Sequence, residues 1–254
     1  MKDFIKIFEV AYVKNVFGPQ LFWMNEWDKK YSLSFQVVLI RQKNKIILMN
    51  TGLTEEILPE VNEIWGKNDK DGKLIKKDNI INILERKNLT LDDINIVLIT
   101  PFRHYTMGYL DMFKKSEILL SKKGWFEFHN KKYNNESREF TIPSRILKYL
   151  MFEGWNNIRL LEDEDIIDDN ISTFWCGCHH RSSIAIKIKI NNKIIIISDC
   201  FFKLRNIEEN LPIGLSENIY ECFDAYKRIK EEADIFISLY DPDNFIRFKN
   251  GIVL

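Results

Sequence analysis

Apolar and polar positions fall in short blocks along the chain, some alternating every second residue and others recurring at helical spacing. "IKIFEVAYV", "SFQVVLI" and "KIILMNTGL" predict strands in a meander, the last two joined by a short polar turn at Gln42 to Asn44. Pro59 to Trp65 and Asn79 to Arg86 carry apolar residues at helical spacing and predict helices. In "TLDDINIVLIT", Thr90 and Asp93 are spaced like a capping box ahead of a buried strand. "SEILLSKKGWFEF" predicts a further strand followed by an apolar-aromatic segment, and the acidic run "LEDEDIIDDN" predicts a solvated loop between strands. "SSIAIKIKI" alternates at period two and "KIIIISD" is continuously apolar, with Asn191-Asn192 as a hairpin turn. Residues 216 to 231 place Ile219, Cys222, Phe223, Tyr226 and Ile229 on one helix face, with Ser216 as the expected N-cap. "ADIFISLYDPD" predicts a last buried strand ending in a polar turn. Two halves emerge, about residues 1 to 150 and 151 to 254, each with strands first and helices after. Continuously apolar strands must be covered on both faces, which gives sheets packed on each other with helices outside: a layered α/β protein.

Composition narrows the function classes. The chain has 254 residues, 45% hydrophobic and 29% charged, as expected of a globular protein with a sizeable core. Lys+Arg and Asp+Glu are both 37, so net charge gives no case for nucleic acid or an anionic membrane as partner. The start, "MKDFIKIFEVAYVKN", is charged too regularly for a signal peptide, and no apolar run reaches membrane-spanning length. Cys176, Cys178, Cys200 and Cys222 form no disulfide-framework pattern, so reduced thiols and a cytoplasmic protein are expected.

The candidate chemistry begins at "NIVLITPFRHYTMGYLDMF", a buried strand running into a loop and a helix. It resembles the metallo-β-lactamase superfamily's strand and loop Thr-His-x-His-x-Asp-His-x-Gly, with Thr100 and Gly108 in place. Four further segments, in the family's order, extend the resemblance over most of the chain and toward the lactonase-like branch. "KIILMNTGL" is similar to the strand ending in Asp-Thr-Gly, with Asn50 at the Asp. "CHHRSSIAI" puts His179 at a metal-binding histidine and Ser183 at the family serine, and "KIIIISDC" puts Asp199 at the metal-bridging aspartate. "DIFISLYDPD" is similar to the strand ending in Pro-Gly-His-Asp-Pro, with Tyr240 at the His and Asp241 at the Asp. The resemblance implies a four-layered αβ/βα sandwich, with residues 1 to 254 as one domain.

The family's chemistry needs imidazoles and carboxylates around two closely spaced ions. Here Pro101, Arg103, Tyr105, Thr106 and Tyr240 stand at ligand positions, and only His179 and Asp199 remain. With 4 histidines in the whole chain (His104, His129, His179, His180), the usual dinuclear site cannot form. Arg103 is expected to pair with Asp199 or Asp241, a fixed guanidinium replacing part of the lost metal charge. Tyr105 and Tyr240 would supply hydroxyls and His179 or His180 a titratable imidazole, making a polar pocket for an anion or a carbonyl oxygen. The bland reading is that Arg103 and Asp199 simply satisfy each other in a dead site. No cofactor is expected. A single divalent zinc, manganese or iron ion on His179, Asp199 and a recruited His104, with His180 or Asp241 as a further donor, is the metal-bearing alternative.

"CGCHH" cannot wrap one tetrahedral ion, because consecutive residues at a strand end face opposite ways. Cys176 is expected in the core and Cys178 at the family's glycine place, while a Cys178 or Cys200 nucleophile beside His179 or His180 is a separate reading. Lys203 is a candidate pocket residue; Arg205 and Glu209 are expected to be solvated, and Phe22, Trp23, Trp27 and Trp125 to be core. The resemblance places "GWFEF" (Gly124 to Phe128) near the site mouth. Three classes stay open: a hydrolase of a small lactone, ester or amide with a changed site; a metal-free protein binding a small ligand; and a structural member of an assembly such as a homodimer.

Overall fold

The structure, a computed structural model, describes residues 3–66, 72–130 and 138–254, less the side chains of 138 and 139. Two sheets carry the fold. The first is 7-stranded, in the order β4 (Leu74–Lys76), β1 (Phe4–Phe17), β2 (Lys30–Gln42), β3 (Lys45–Met49), β5 (Ile96–Leu98), β6 (Glu117–Ser121) and β7 (Ile158–Leu161). The second is 5-stranded: β12 (Ile235–Ser238), β11 (Lys193–Ser198), β10 (Ile184–Ile190), β9 (Ile171–Trp175) and β8 (Glu164–Asp168). In each, antiparallel hairpins give way to parallel pairs (β3 with β5, β5 with β6, and β11 with β12), and the loops leaving β3, β5, β11 and β12, with the loop between β9 and β10, build the site.

The apolar runs explain the layering. On β2, Val38 and Ile40 point into a core shared with Ile186, Ile195 and Ile197 of the second sheet. The alternate residues Val37 and Leu39 pack on the other face, in a core that includes Val61, Ile83 and Leu84 from the helices Leu58–Trp65 and Ile80–Glu85. On the far side Ile196 shares that second environment with Ala225, Tyr226 and Ile229 of the helix Ile219–Glu232. A strand buried on both faces can be apolar throughout, and the result is helix, sheet, sheet, helix.

Several local expectations shift. The acidic run is not a loop: Glu164–Asp168 is the edge strand β8, antiparallel to β9. An edge strand can leave Ile166 74% exposed and be acidic elsewhere without losing its pairing. Strand β7, past residue 150, still pairs with β6 of the first sheet. The N-cap of Ile219–Glu232 is Asn218, whose side chain accepts from the Tyr220 amide at 3.0 Å, rather than Ser216. Phe22 and Trp125 are buried as expected, but Trp23 and Trp27 are exposed. Among the described residues no helix is long and apolar enough to cross a membrane.

Candidate functional site

Asp199 follows β11 and is fully buried. A buried carboxylate is costly unless its oxygens receive hydrogen bonds. Here Thr100 Oγ1 donates to Oδ1 at 2.5 Å, Ser183 Oγ donates to Oδ2 at 2.5 Å, and His179 Nδ1 lies 3.0 Å from Oδ2. Thr100 also accepts from the Ile184 amide at 2.8 Å, so one hydroxyl joins β5 of the first sheet to β10 of the second.

Asn50 performs the same service for the loop above. Its side-chain oxygen accepts from the Thr100 amide at 2.9 Å and its amide donates to the Thr100 carbonyl at 2.8 Å. An aspartate there could accept but not donate. The next turn, His104–Met107, is closed by Thr106, whose hydroxyl donates to the Pro101 and Arg103 carbonyls at 2.6 and 2.7 Å. Gly108 lets this turn touch the first sheet's loop, since a Cβ there would stand 2.8 Å from the Gly52 carbonyl oxygen.

The segment carrying His179 is anchored on the opposite side. Cys178 has φ +62°, a conformation that glycine tolerates best, consistent with its expected place. Its carbonyl accepts from the Glu217 amide at 2.8 Å. Cys178 is also disulfide-bonded to Cys222, 44 positions on, on the buried face of Ile219–Glu232. This overturns the expectation of four reduced thiols and removes Cys178 as a nucleophile. Cys176 and Cys200 are free and buried. Burial, with Cys200 beside it, pushes the Cys176 thiol well up.

Arg103 does not meet Asp199 or Asp241. Its Nε donates to His180 Nε2 at 3.0 Å, and a terminal nitrogen lies 3.1 Å from His180 Nδ1. His180 in turn lies 3.1 Å from Glu217 Oε1. Partial desolvation pushes the carboxyl of Glu217, whose side chain is 44% exposed, above the usual range, opposed by the Arg181 amide and by the charges of Arg103, His179 and Arg181. The cation that neutralises Asp241 is Lys203, with Nζ at 2.9 Å from Oδ1 and the Leu204 amide on the other oxygen at 3.1 Å. Lys203, expected as a pocket residue, is thus engaged by Asp241, and by Asp243 at 3.5 Å. Arg205, expected to be solvated, instead pairs with Glu26 at 2.5 Å and with Glu209 at 2.8 Å, keeping 36% of its side chain exposed.

Tyr240, at the last histidine's position, is buried among the rings of Phe35 (5.6 Å), Phe202 (5.1 Å) and His179 (5.6 Å). Its hydroxyl donates to Tyr105 at 3.4 Å. Burial first, then Tyr105 and Asp199, push the Tyr240 phenol far above its ordinary value, so it stays protonated. His104 turns elsewhere: Nδ1 lies 3.1 Å from the Phe140 carbonyl oxygen, amid the rings of Trp65, Tyr105 and Phe140. It is thus not recruited beside His179 and Asp199 for a single ion. Among the described residues no three His, Cys, Asp or Glu side chains gather so as to hold a metal. The donor set does not fit the dinuclear centre that the resemblance implies.

His179 meets Asp199 and Tyr240, Tyr240 meets Tyr105, and His180, with Arg103 bonded to it, lies beside His179. Sequence reasoning had not assigned Thr100 or Ser183 to the aspartate or paired Glu217 with His180. The available signal was physical: a carboxylate at a buried strand end needs donors, and hydroxyls end the neighbouring strands.

The chain has the metallo-β-lactamase fold. It is similar, at 15% identity and a TM-score of 0.77 over 98% of this chain and 96% of the other, to an N-acyl homoserine lactone hydrolase with N-hexanoyl-L-homoserine bound at its catalytic metal center. It is also similar, at 17% identity and 0.70 over 95% and 91%, to a probable metal-dependent hydrolase from Staphylococcus aureus. A dizinc quorum-quenching lactonase in complex with its product matches at 13% identity and 0.68 over 98% and 88%. No protein-family model and no curated protein matches the sequence.

Proposed function

We propose that this protein binds a small carbonyl- or carboxylate-bearing ligand without a metal, at the rim formed by Arg103, His179 and His180. The observation that carries the reading is the filling of the ligand positions. Tyr240 is packed among aromatic rings, Thr106 closes its own turn, and Arg103 holds a permanent positive charge where an imidazole would bind metal. A guanidinium repels a divalent cation and attracts an anion or a carbonyl oxygen. Elemental analysis after purification, repeated after incubation with zinc, tests it together with a thermal-shift titration of N-hexanoyl homoserine lactone and its ring-opened acid. Stabilisation by either compound with no bound zinc supports the reading, and two equivalents of zinc would sink it.

A hydrolase reading has one specific observation in its favour. His179 is oriented through Nδ1 by Asp199, and no hydrogen bond engages its Nε2 among the described residues. An imidazole so held could, in its neutral form, take a proton from water attacking a lactone, ester or amide carbonyl, with the Arg103 guanidinium as the nearby positive charge for the developing oxyanion. Lactone hydrolysis that survives a chelator and disappears in His179→Ala would establish this second reading.

A further inference from the structure

The most unusual charge arrangement lies away from the site, where β1 meets the end of the helix Ile80–Glu85. A cleft there is lined by Lys6, Phe8, Arg86, Lys87, Phe245 and Asn250. Two other cations at this cleft are already neutralised: Lys77 pairs with Glu9, and Arg86 with Asp78. Lys6 and Lys87 have no such partner among the described residues. Their ammonium groups converge over one ring, with Lys6 Nζ 5.4 Å and Lys87 Nζ 5.9 Å from the centre of Phe8. Two like charges brought together over an aromatic face repel each other, and the two carboxylates that line the cleft, Glu9 and Asp78, are engaged by Lys77 and Arg86.

We infer that this cleft binds the phosphate group of a small organic phosphate monoester, held between Lys6 and Lys87 with its organic part against Phe8 and Phe245. The inference is independent of the reading given for the Arg103 and His179 rim. A phosphate monoester carries about −1.5 to −2 charge near neutral pH, enough to bridge two ammonium groups that a single carboxylate would only half neutralise. Lysine is a point-charge phosphate binder and needs no planar geometry. The Lys6 amine supports the same reading. Burial, followed by the hydrogen bond and charge of Lys87, lowers it to about 8. A bound dianion would draw a proton back onto it.

The test is calorimetric titration of the whole chain with inorganic phosphate and with phenyl phosphate at low ionic strength, near pH 8, in two buffers of different ionisation enthalpy. Saturable binding at millimolar concentrations or below, with uptake of a fraction of a proton, is expected. Lys6→Gln and Lys87→Gln should each weaken it about tenfold or more. Lys193→Gln, on the other sheet, should leave it unchanged. Unchanged thermal melts of the variants in the absence of ligand show that the loss is one of binding. No saturable binding of either probe, or equal binding by wild type and both cleft variants, overturns the proposal. Equal affinity for the two probes overturns the role given to Phe8 and Phe245.

Discussion

Asp199 and Asp241 lie just past the ends of two neighbouring parallel strands, β11 and β12, and both are buried. They are stabilised by different means. Asp241 has a full cation, Lys203, and two backbone amides, from Leu204 and Asp243. Asp199 has two hydroxyls and an imidazole, with no lysine or arginine against it among the described residues. The fixed positive charge expected beside Asp199 has thus appeared one strand over, and Arg103 has gone to His180 instead. A buried carboxylate need not meet a lysine or an arginine, because short hydrogen bonds from hydroxyls, with an imidazole beside them, can serve its oxygens.

The contrast can be broken most forcefully at Lys203. With Lys203 only 12% and Asp241 only 2% exposed, Lys203→Ala should cost about 3–5 kcal/mol in chemical denaturation, the range for stranding a buried charge. The disulfide comes next, since it pins the segment that brings His179 to Asp199. Cys222→Ser should lower stability by about 2–4 kcal/mol under non-reducing conditions. Removing one neutral donor from Asp199, by Thr100→Val or Ser183→Ala, should cost about 1–3 kcal/mol in the same measurement. If either loss matched that of Lys203→Ala, the distinction between the two aspartates would collapse. Arg103→Ala removes the hydrogen bonds to His180 and should cost at least about 0.5–1.5 kcal/mol, the range for an ordinary hydrogen bond; unchanged stability would show that they contribute nothing.

The smallest effect is on pH dependence. Partial desolvation raises the Glu217 carboxyl in the folded state, so the fold binds its proton more tightly than the unfolded chain does. That contribution is fully present below the ordinary carboxylate range and is lost as pH rises through the raised value. Glu217→Gln, which stays neutral, should lack this fall, so its Tm should gain on that of the wild type as pH rises through the raised value.

The layered fold was legible because apolar runs such as "KIIIISD" had to be covered on both faces, and the motif order placed Thr100, His179 and Asp199 at strand ends that meet. Other features could not be read from local pattern. β8 is an edge strand, so its acidic residues obey solvent rather than the core. Trp23 and Trp27 are apolar by composition yet exposed, which only tertiary structure decides. The Cys178–Cys222 pairing depends on a loop landing on the helix face where Cys222 was already expected to be buried. The contact of Arg103 with His180, which also meets Glu217, joins residues 77 positions apart and has no local pattern to announce it.

The hydroxyl of Thr100 bonds to Ile184 and Asp199, 84 and 99 positions away, and Gln36 bonds to the Asp241 carbonyl, 205 positions away. Contacts of such sequence separation carry the chain's largest loop-closure cost and are made slowly. A growing chain on the ribosome could pair β1 with β2 and β3 early, yet it could not assemble any part of the Asp199 cluster until the second sheet had been synthesised. The cluster is thus a late checkpoint of folding, and slowed hydrogen exchange at the Ile184 amide would report that the two halves have found each other.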